Sequence, residues 1–510
     1  MNKIIKFFTR RLVLVSLLIL VQFLLIAATL MLPGKRYFAI YYLTTWVMGV
    51  IFMFRIINRK DNPVYKIGWL IIVLLLPPFG VAVYIIFRGN TLSKRKKEKL
   101  ASIEQSIKRG LEETIGGERA AIEDPEAKKQ SDYISNCAFT DPYSDGDIEY
   151  YPTGEDMLKP FLEALRSAEK YIFIEYFIIG RGKMWDSVHE ILLEKVKQGV
   201  DVRVIYDDMG SINSVGFGFR KELEKEGIKC QVFSRYIPVL YARLNNRDHR
   251  KICSVDGKVA FTGGINIADE YINAITRFGY WKDNAVKVTG RCAWAFTVIF
   301  LSMWEYYEPS PDGEEGFAKY MPDSFPGETP GVVQPYTDNP MDDVNVGEAV
   351  YLNMLYGAKR YIWITTPYLI IDYQLEQALI NAAESGVDVR IVTPGIPDKR
   401  MVYQSTKAHY EKLVRGGVKL YEYEPGFLHA KTFVCDDKFS TVGTINLDFR
   451  SLYLHFECGV WIYDSPVISD IKKDYEDILA VSRQITLDDC KANVFTRLKR
   501  SLIELIAPMI

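Results

Sequence analysis

The chain has 510 residues, 48% of them hydrophobic and 25% charged, enough to bury a large core and to form more than one domain. Its 63 Lys and Arg nearly balance 64 Asp and Glu, so the excess positive charge with which a nucleic-acid binder neutralises phosphates is absent overall, and no nucleic-acid partner is expected. The cysteines, Cys137, Cys230, Cys253, Cys292, Cys435, Cys458 and Cys490, are scattered and odd in number, and they have no CxxC spacing; they read as small apolar residues of a reducing compartment, not as a disulfide framework.

In chain order, residues 12–32, LVLVSLLILVQFLLIAATLML, carry no charge and at about 1.5 Å per residue cover the roughly 30 Å of bilayer hydrocarbon, which predicts a spanning helix. Pro33-Gly34 make a turn, and residues 37–57, rich in Tyr and Trp at their start, supply a second span. A third apolar stretch, 67–87, is interrupted by Pro77-Pro78 and Gly80 and is basic on both flanks, with Arg55, Arg59, Lys60 and Lys66 before it and Arg88 and SKRKKEK after it. A stretch positive at both ends fits a re-entrant or interfacial hairpin and leaves the rest of the chain cytoplasmic; a kinked true span is the competing reading and inverts that topology. Residues 91–130 alternate Lys and Glu and predict a solvated, charged connector, its basic first part worth about 1 kcal/mol per Lys or Arg near anionic headgroups.

The remainder repeats itself. AEKYIFIEYFII (168–179) followed by GVDVRVIYD (199–207) matches AKRYIWITTPYLI (358–370) followed by GVDVRIVTP (386–394), each a buried strand, a helix and another buried strand. Two similar α/β domains are expected, at 131–309 and 336–490, joined by a Pro-, Gly- and acid-rich linker at 310–335. Residues 234–248 insert an extra segment with Arg243 and Arg247 in the first half, and 491–510 have apolar residues at helical spacing beside Arg497, Lys499 and Arg500, predicting an amphipathic helix.

Each half carries one odd octapeptide. HRKICSVD (249–256) and HAKTFVCD (429–436) place a His, a Lys two positions on and an Asp seven positions on with identical spacing, in a chain of five histidines. On a strand, residues two apart leave the same face, so each motif directs an imidazole and an ammonium into one pocket. Two such pairs around one anion suit displacement at a phosphodiester: a neutral His attacks phosphorus, and a protonated one gives its proton to the leaving alkoxide. A metal is not expected, because a lysine ammonium offers no lone pair and zinc sites use three or four His, Cys or carboxylate ligands. No GxSxG elbow supports a serine nucleophile, and GFGFR (216–220) reads as a turn before a helix.

With their following FTGGIN and VGTIN turns and the stretch NLDFRSLYLHFE, these motifs resemble the phospholipase D superfamily over nearly all of residues 131–490, and the apolar N-terminus makes the chain similar to the bacterial cardiolipin synthases. The resemblance implies two pseudo-symmetric α/β domains sharing one active site behind N-terminal transmembrane helices, in a multi-pass protein of the bacterial cell membrane. It implies a catalytic set of His249, Lys251, Asp256, His429, Lys431 and Asp436, with His249 as nucleophile, His429 as acid and then base, and the two aspartates as structural ion-pair partners. Asn266, Asn446 and Thr444 would hold phosphate oxygens; Asp283 and Glu457 would hydrogen-bond the distal nitrogens of the catalytic imidazoles. His455 stands where relatives often have Asn, while His189 and His409 match no motif and read as ordinary helix residues. The expected reaction joins two phosphatidylglycerol molecules into cardiolipin and glycerol without cofactor or metal. Rival outcomes are a phospholipase, a phosphatidyltransferase with another acceptor, a nuclease and a non-catalytic membrane scaffold.

Overall fold

The computed structural model describes residues 19–24, 26–28, 31, 35–59, 62–87, 94–234, 246–308, 316–342, 344–496, 498, 500 and 503. They form an apolar unit, which includes the N-terminal region, and a larger body, Lys94–Arg235 with Asn246–Arg497. Each is described by itself.

In the apolar unit, the segment Arg36–Ile57, 22 residues, is the one described helix long and apolar enough to cross a membrane. The expected first span, 12–32, lies largely outside the described residues. The third apolar stretch forms two short helices, Pro63–Leu75 and Pro77–Phe87, broken at Leu76. Pro77 and Pro78 lack the N–H that would carry the helical ladder through this point. The arms fold back on each other: the Trp69 and Tyr84 rings are 5.3 Å apart, whereas fifteen residues of one straight helix would separate them by about 22 Å. A β-carbon on Gly80 would sit 2.1 Å from the Ile72 carbonyl oxygen, so this close approach requires glycine. The first N–H after the prolines, that of Phe79, donates to Gln22 Oε1 at 2.9 Å. Thirteen- and eleven-residue arms are each too short for the hydrocarbon core, and the hairpin rather than a kinked continuous span is what forms.

The body contains two sheets of one plan. In the first, strands run in the order Ile148–Tyr151, Ala285–Thr289, Val259–Gly263, Lys251–Val255, Tyr171–Tyr176, Asp201–Asp207, Lys229–Phe233. In the second, Glu328–Asp338, His455–Tyr463, Phe439–Gly443, Thr432–Cys435, Tyr361–Thr365, Asp388–Pro394 and Lys419–Tyr423 repeat that order, with Tyr143–Asp145 and Ser482–Gln484 added at the ends. The last three strands of each plan pair in parallel, the connections being helices that cover the sheet, and each motif strand pairs antiparallel with its neighbours.

Three boundaries differ from expectation. The connector is not merely a solvated run: helix Ile103–Ile115 buries Ile103, Ile107, Leu111 and Ile115, and its Gly110 lies so close to Phe317 and Val298 that a β-carbon there would clash with both. Four apolar residues at helical spacing among the charges account for this. Helix Pro125–Ala138 runs through position 131, and Ala127, Ile134 and Ala138 join the core of the second sheet, to which Tyr143–Asp145 also belongs. The linker gives way at Glu328 to an eleven-residue strand paired with His455–Tyr463.

The halves also exchange short strands. Arg247–Asp248 pairs in parallel with His455–Phe456 of the second half, and Tyr280–Lys282 pairs in parallel with Gly426–Leu428. Each exchange ends at a motif histidine: the His249 N–H donates to the Phe456 carbonyl at 2.9 Å and the His429 N–H to the Lys282 carbonyl at 2.7 Å.

Candidate active site

The exchanged strands carry the carboxylates to the imidazoles. Glu457 follows Phe456, and its Oε2 lies 2.9 Å from His249 Nδ1; Asp283 follows Lys282, and its Oδ2 lies 2.6 Å from His429 Nδ1. Each imidazole is therefore held by a carboxylate of the opposite half. An ionised carboxylate only accepts, so Nδ1 carries the hydrogen and Nε2 keeps its lone pair, the tautomer a nucleophile or base requires.

Both motif lysines reach back to their own histidine. The Lys251 ammonium donates to the His249 carbonyl at 2.6 Å, while that of Lys431 lies against the His429 carbonyl and 2.8 Å from its Nδ1. All four side chains are buried. Arg250, between His249 and Lys251 and so on the opposite face, enters a buried ion-pair set with Glu175 at 2.5 Å and Asp248 at 3.0 Å; its counterpart in the second half is Ala430.

Electrostatics favour an anion at this place. Burial, followed by the charges of Lys251 and Lys431, holds His249 well below the ordinary imidazole value. Burial and Lys431 push His429 down to about 4, against the pull of Asp283. Burial likewise brings Lys251 down to about 8 and Lys431 to about 7. For Asp283, burial opposes the charge but Lys431 and His429 outweigh it, and the carboxyl lies below its usual range. A phosphoryl anion would reverse the penalty on every cation in the set.

The other expected site residues are distributed differently. Asn266 is satisfied at both ends: Oδ1 accepts from the Ile178 N–H at 2.9 Å, and Nδ2 donates to the Tyr271 hydroxyl at 2.7 Å. Asn446 has an unpaired, buried Oδ1. The Thr444 hydroxyl, expected on phosphate, instead donates to Glu457 Oε2 and so supports the carboxylate behind His249. In the first half Gly264 occupies the equivalent turn, and a β-carbon there would fall 2.0 Å from Asp283 Oδ1. Asp256 and Asp436 close the far ends of their motifs. Asp256 accepts the backbone N–H groups of Glu169, Lys170 and Tyr171 at 2.7, 2.8 and 2.7 Å, and Asp436 those of Lys359, Arg360 and Tyr361 at 2.7, 2.8 and 2.9 Å. The expected ion pairs are replaced by caps on strand ends, because each aspartate sits at positive φ in the turn beyond its motif strand, facing three free amides.

Of the residues in the insertion, Arg243 lies outside the described residues and Arg247 is buried 3.3 Å from Asp207. His189 packs on Trp185 and lies 2.8 Å from Glu226, and His409 lies 3.5 Å from Glu376; both are helical and apart from the motif pair. His455, by contrast, joins the site. Its ring centroid is 5.5 Å from that of His249, because residues two apart on a strand share a face and Glu457 is two positions on. The surroundings of the two motif imidazoles differ accordingly: His429 is enclosed by Tyr271, Trp281 and Phe427, and His249 by Phe177 and His455.

His249, His455 and Glu457 also place donor atoms within 4.8 Å of one another. They suit a metal poorly, because the buried ammonium of Lys251 lies in the field of this same carboxylate and a second cation there would be repelled.

The sequence matches the family described as "Cardiolipin synthase, PLD-like domain" twice, over residues 161–291 and 351–479, and that described as "Phospholipase_D-nuclease N-terminal" over 46–89. An uncharacterized protein of Streptococcus mutans is 40% identical over 461 residues, spanning 89% of this chain and 98% of its own length. A protein of Staphylococcus aureus named cardiolipin synthase is 31% identical over 485 residues, spanning 92% and 96%. Among solved structures, the phosphatidylserine synthase of Haemophilus influenzae superposes with a TM-score of 0.57 over 75% of this chain and all of that one, at 14% identity, a likeness of fold. With two copies of the domain and relatives matched over almost their whole length, this chain belongs to the cardiolipin synthase family of phospholipase D-like proteins.

Proposed function

We propose that the protein is a phosphatidyltransferase that makes cardiolipin from two molecules of phosphatidylglycerol. The bound phosphodiester anion, with Asp283 behind the ring, raises His429 so that its Nε2 takes up a proton; His249 Nε2 then attacks phosphorus, the bond from phosphorus to the headgroup oxygen breaks, and His429 gives that oxygen its Nε2 proton, releasing glycerol and leaving a phosphatidyl group on His249. A hydroxyl of the second phosphatidylglycerol then gives its proton to His429 and attacks phosphorus, and the bond to His249 breaks. One phosphodiester is exchanged for another, so no nucleotide or metal is needed. Lys251 and Lys431 stabilise the charge that grows on the phosphoryl oxygens.

The observation that carries this reading is the reciprocal pair of dyads: two Nδ1-anchored imidazoles and two ammoniums at one place, in a chain whose relatives include proteins named cardiolipin synthase. His249 is taken as the nucleophile because burial and the two ammoniums hold it well below the ordinary imidazole value despite Glu457 at its Nδ1, whereas Asp283 is a principal influence supporting a cation on His429. The apolar helix and hairpin hold the enzyme in the membrane that contains its substrate, with the catalytic body in the cytoplasm.

The test uses purified full-length protein in vesicles of labelled phosphatidylglycerol. Cardiolipin and free glycerol are the expected products. Phosphatidic acid without cardiolipin would make the enzyme a phospholipase, and turnover only with another added alcohol would make it a different phosphatidyltransferase.

A further inference from the structure

Beside the first dyad stands an imidazole without a task. His455 is buried beside His249, and neither of its ring nitrogens has a hydrogen-bond partner among the described residues. A buried polar group left unpaired costs about 1–3 kcal/mol, so an imidazole with an idle Nε2 marks a place where something else binds. It is no more enclosed than the machinery around it: His455 is 8% exposed, against 6% for His249 and for His429.

The neighbouring carboxylate decides what that partner is. Glu457 Oε1, itself unpaired, lies 3.5 Å from His455 Nδ1. An acceptor-only oxygen facing Nδ1 favours the hydrogen there, and a ring kept neutral then has a bare lone pair on Nε2. Burial does keep it neutral, pushing His455 down to about 4 against the pull of Glu457. A lone pair cannot bond the oxygens of a phosphodiester, which also only accept. It can accept from a hydroxyl, and the polar head of a polyol lipid carries hydroxyls.

We infer that His455 Nε2 is the hydrogen-bond acceptor for a free hydroxyl of the lipid headgroup, and so selects polyol-bearing phospholipids for the reaction centred on His249. The inference rests on the phosphatidyl-transfer reading and refines it. Beside His429 the unpaired ring nitrogen is instead that of Trp281, an indole N–H that donates and cannot accept.

The experiment compares headgroup release from vesicles of phosphatidylglycerol with release from vesicles of phosphatidylpropanol, whose headgroup has no free hydroxyl, for the wild type and for His455→Phe and His455→Asn. The wild type should prefer phosphatidylglycerol by roughly tenfold to a hundredfold in kcat/KM, the loss expected when a buried acceptor goes unpaired. His455→Phe should erase that preference while retaining turnover of phosphatidylpropanol, and His455→Asn, which keeps an acceptor oxygen, should restore part of it. Equal losses on both lipids in the two variants, or a wild type with no preference, would overturn the assignment and leave phosphatidyl transfer intact. A wild type that releases no headgroup from either lipid would overturn both.

Discussion

Asp283 of the first half accepts from His429 of the second at 2.6 Å, across 146 positions of sequence, and Glu457 returns the relationship to His249 at 2.9 Å across 208. Neither motif imidazole is anchored by a carboxylate of its own half. Replacing Asp283 by Asn keeps the shape but presents an N–H where an acceptor is needed, which selects the wrong tautomer of His429. Turnover of phosphatidylglycerol should fall by about three to four orders of magnitude with little change in KM. Steady-state kinetics on Asp283→Asn and Glu457→Gln provide the check, and a loss of less than tenfold would remove the dyads from the mechanism.

The direction of the reaction is open to chemical capture. Rapid quenching during turnover, followed by peptide mapping under alkaline conditions that preserve phosphohistidine, should locate the phosphatidyl group on His249. A label found on His429 alone would reverse the two roles.

Substrate binding should draw protons from solution. Lys431 at about 7 and Lys251 at about 8 are partly deprotonated at pH 8 when no anion is present. A bound phosphoryl group favours both ammoniums and raises their values, so binding takes up protons and weakens as the pH rises above about 8. Calorimetry with inorganic phosphate in buffers of different ionisation enthalpy should show net uptake at pH 8, reduced in Lys431→Met. No dependence on the buffer would contradict the assignment of these lysines to phosphate.

Acid should destabilise the body through the same site. His429 and His455 titrate near 6.5 in an unfolded chain but near 4 when folded. Between those values the unfolded state binds more protons, so stability present above pH 6.5 is lost as the pH falls toward 4. The thermal midpoint should drop across this window, and less steeply in His455→Asn.

The aspartates of the two motifs should separate stability from chemistry. Asp256→Ala and Asp436→Ala each release three backbone N–H groups and should cost about 2–4 kcal/mol of stability, measured by denaturant unfolding. Activity per folded molecule should stay within a few-fold of the wild type.

These contrasts mark where sequence reasoning reached its limit. The His-x-Lys spacing places two side chains on one face whatever the rest of the chain does, and the repeated strand–helix–strand pattern marks two α/β units, so both were legible; the strand order and the antiparallel pairing of the motif strands were not. Partner choice was not: Asp283 and Glu457 follow equivalent strands in a pseudo-symmetric pair, and only the exchange of Arg247–Asp248 and Tyr280–Lys282 decides which histidine each one meets. Ile103, Ile107 and Leu111 were hidden among lysines and glutamates, although their spacing of four was visible throughout. His455 departed from the family pattern, and its significance appears only when the strand direction brings it beside His249. Alternation along the strand alone sends Arg250, between His249 and Lys251, to the opposite face.

The reciprocal exchange also has a consequence in time. A ribosome completes the first domain, with His249 and Lys251 in place, long before it reaches Glu457, 208 positions later. Until then the imidazole of the first motif has no carboxylate to orient it. On the proposed mechanism the nascent chain is therefore inert, and it gains its chemistry only when the second half folds against the first.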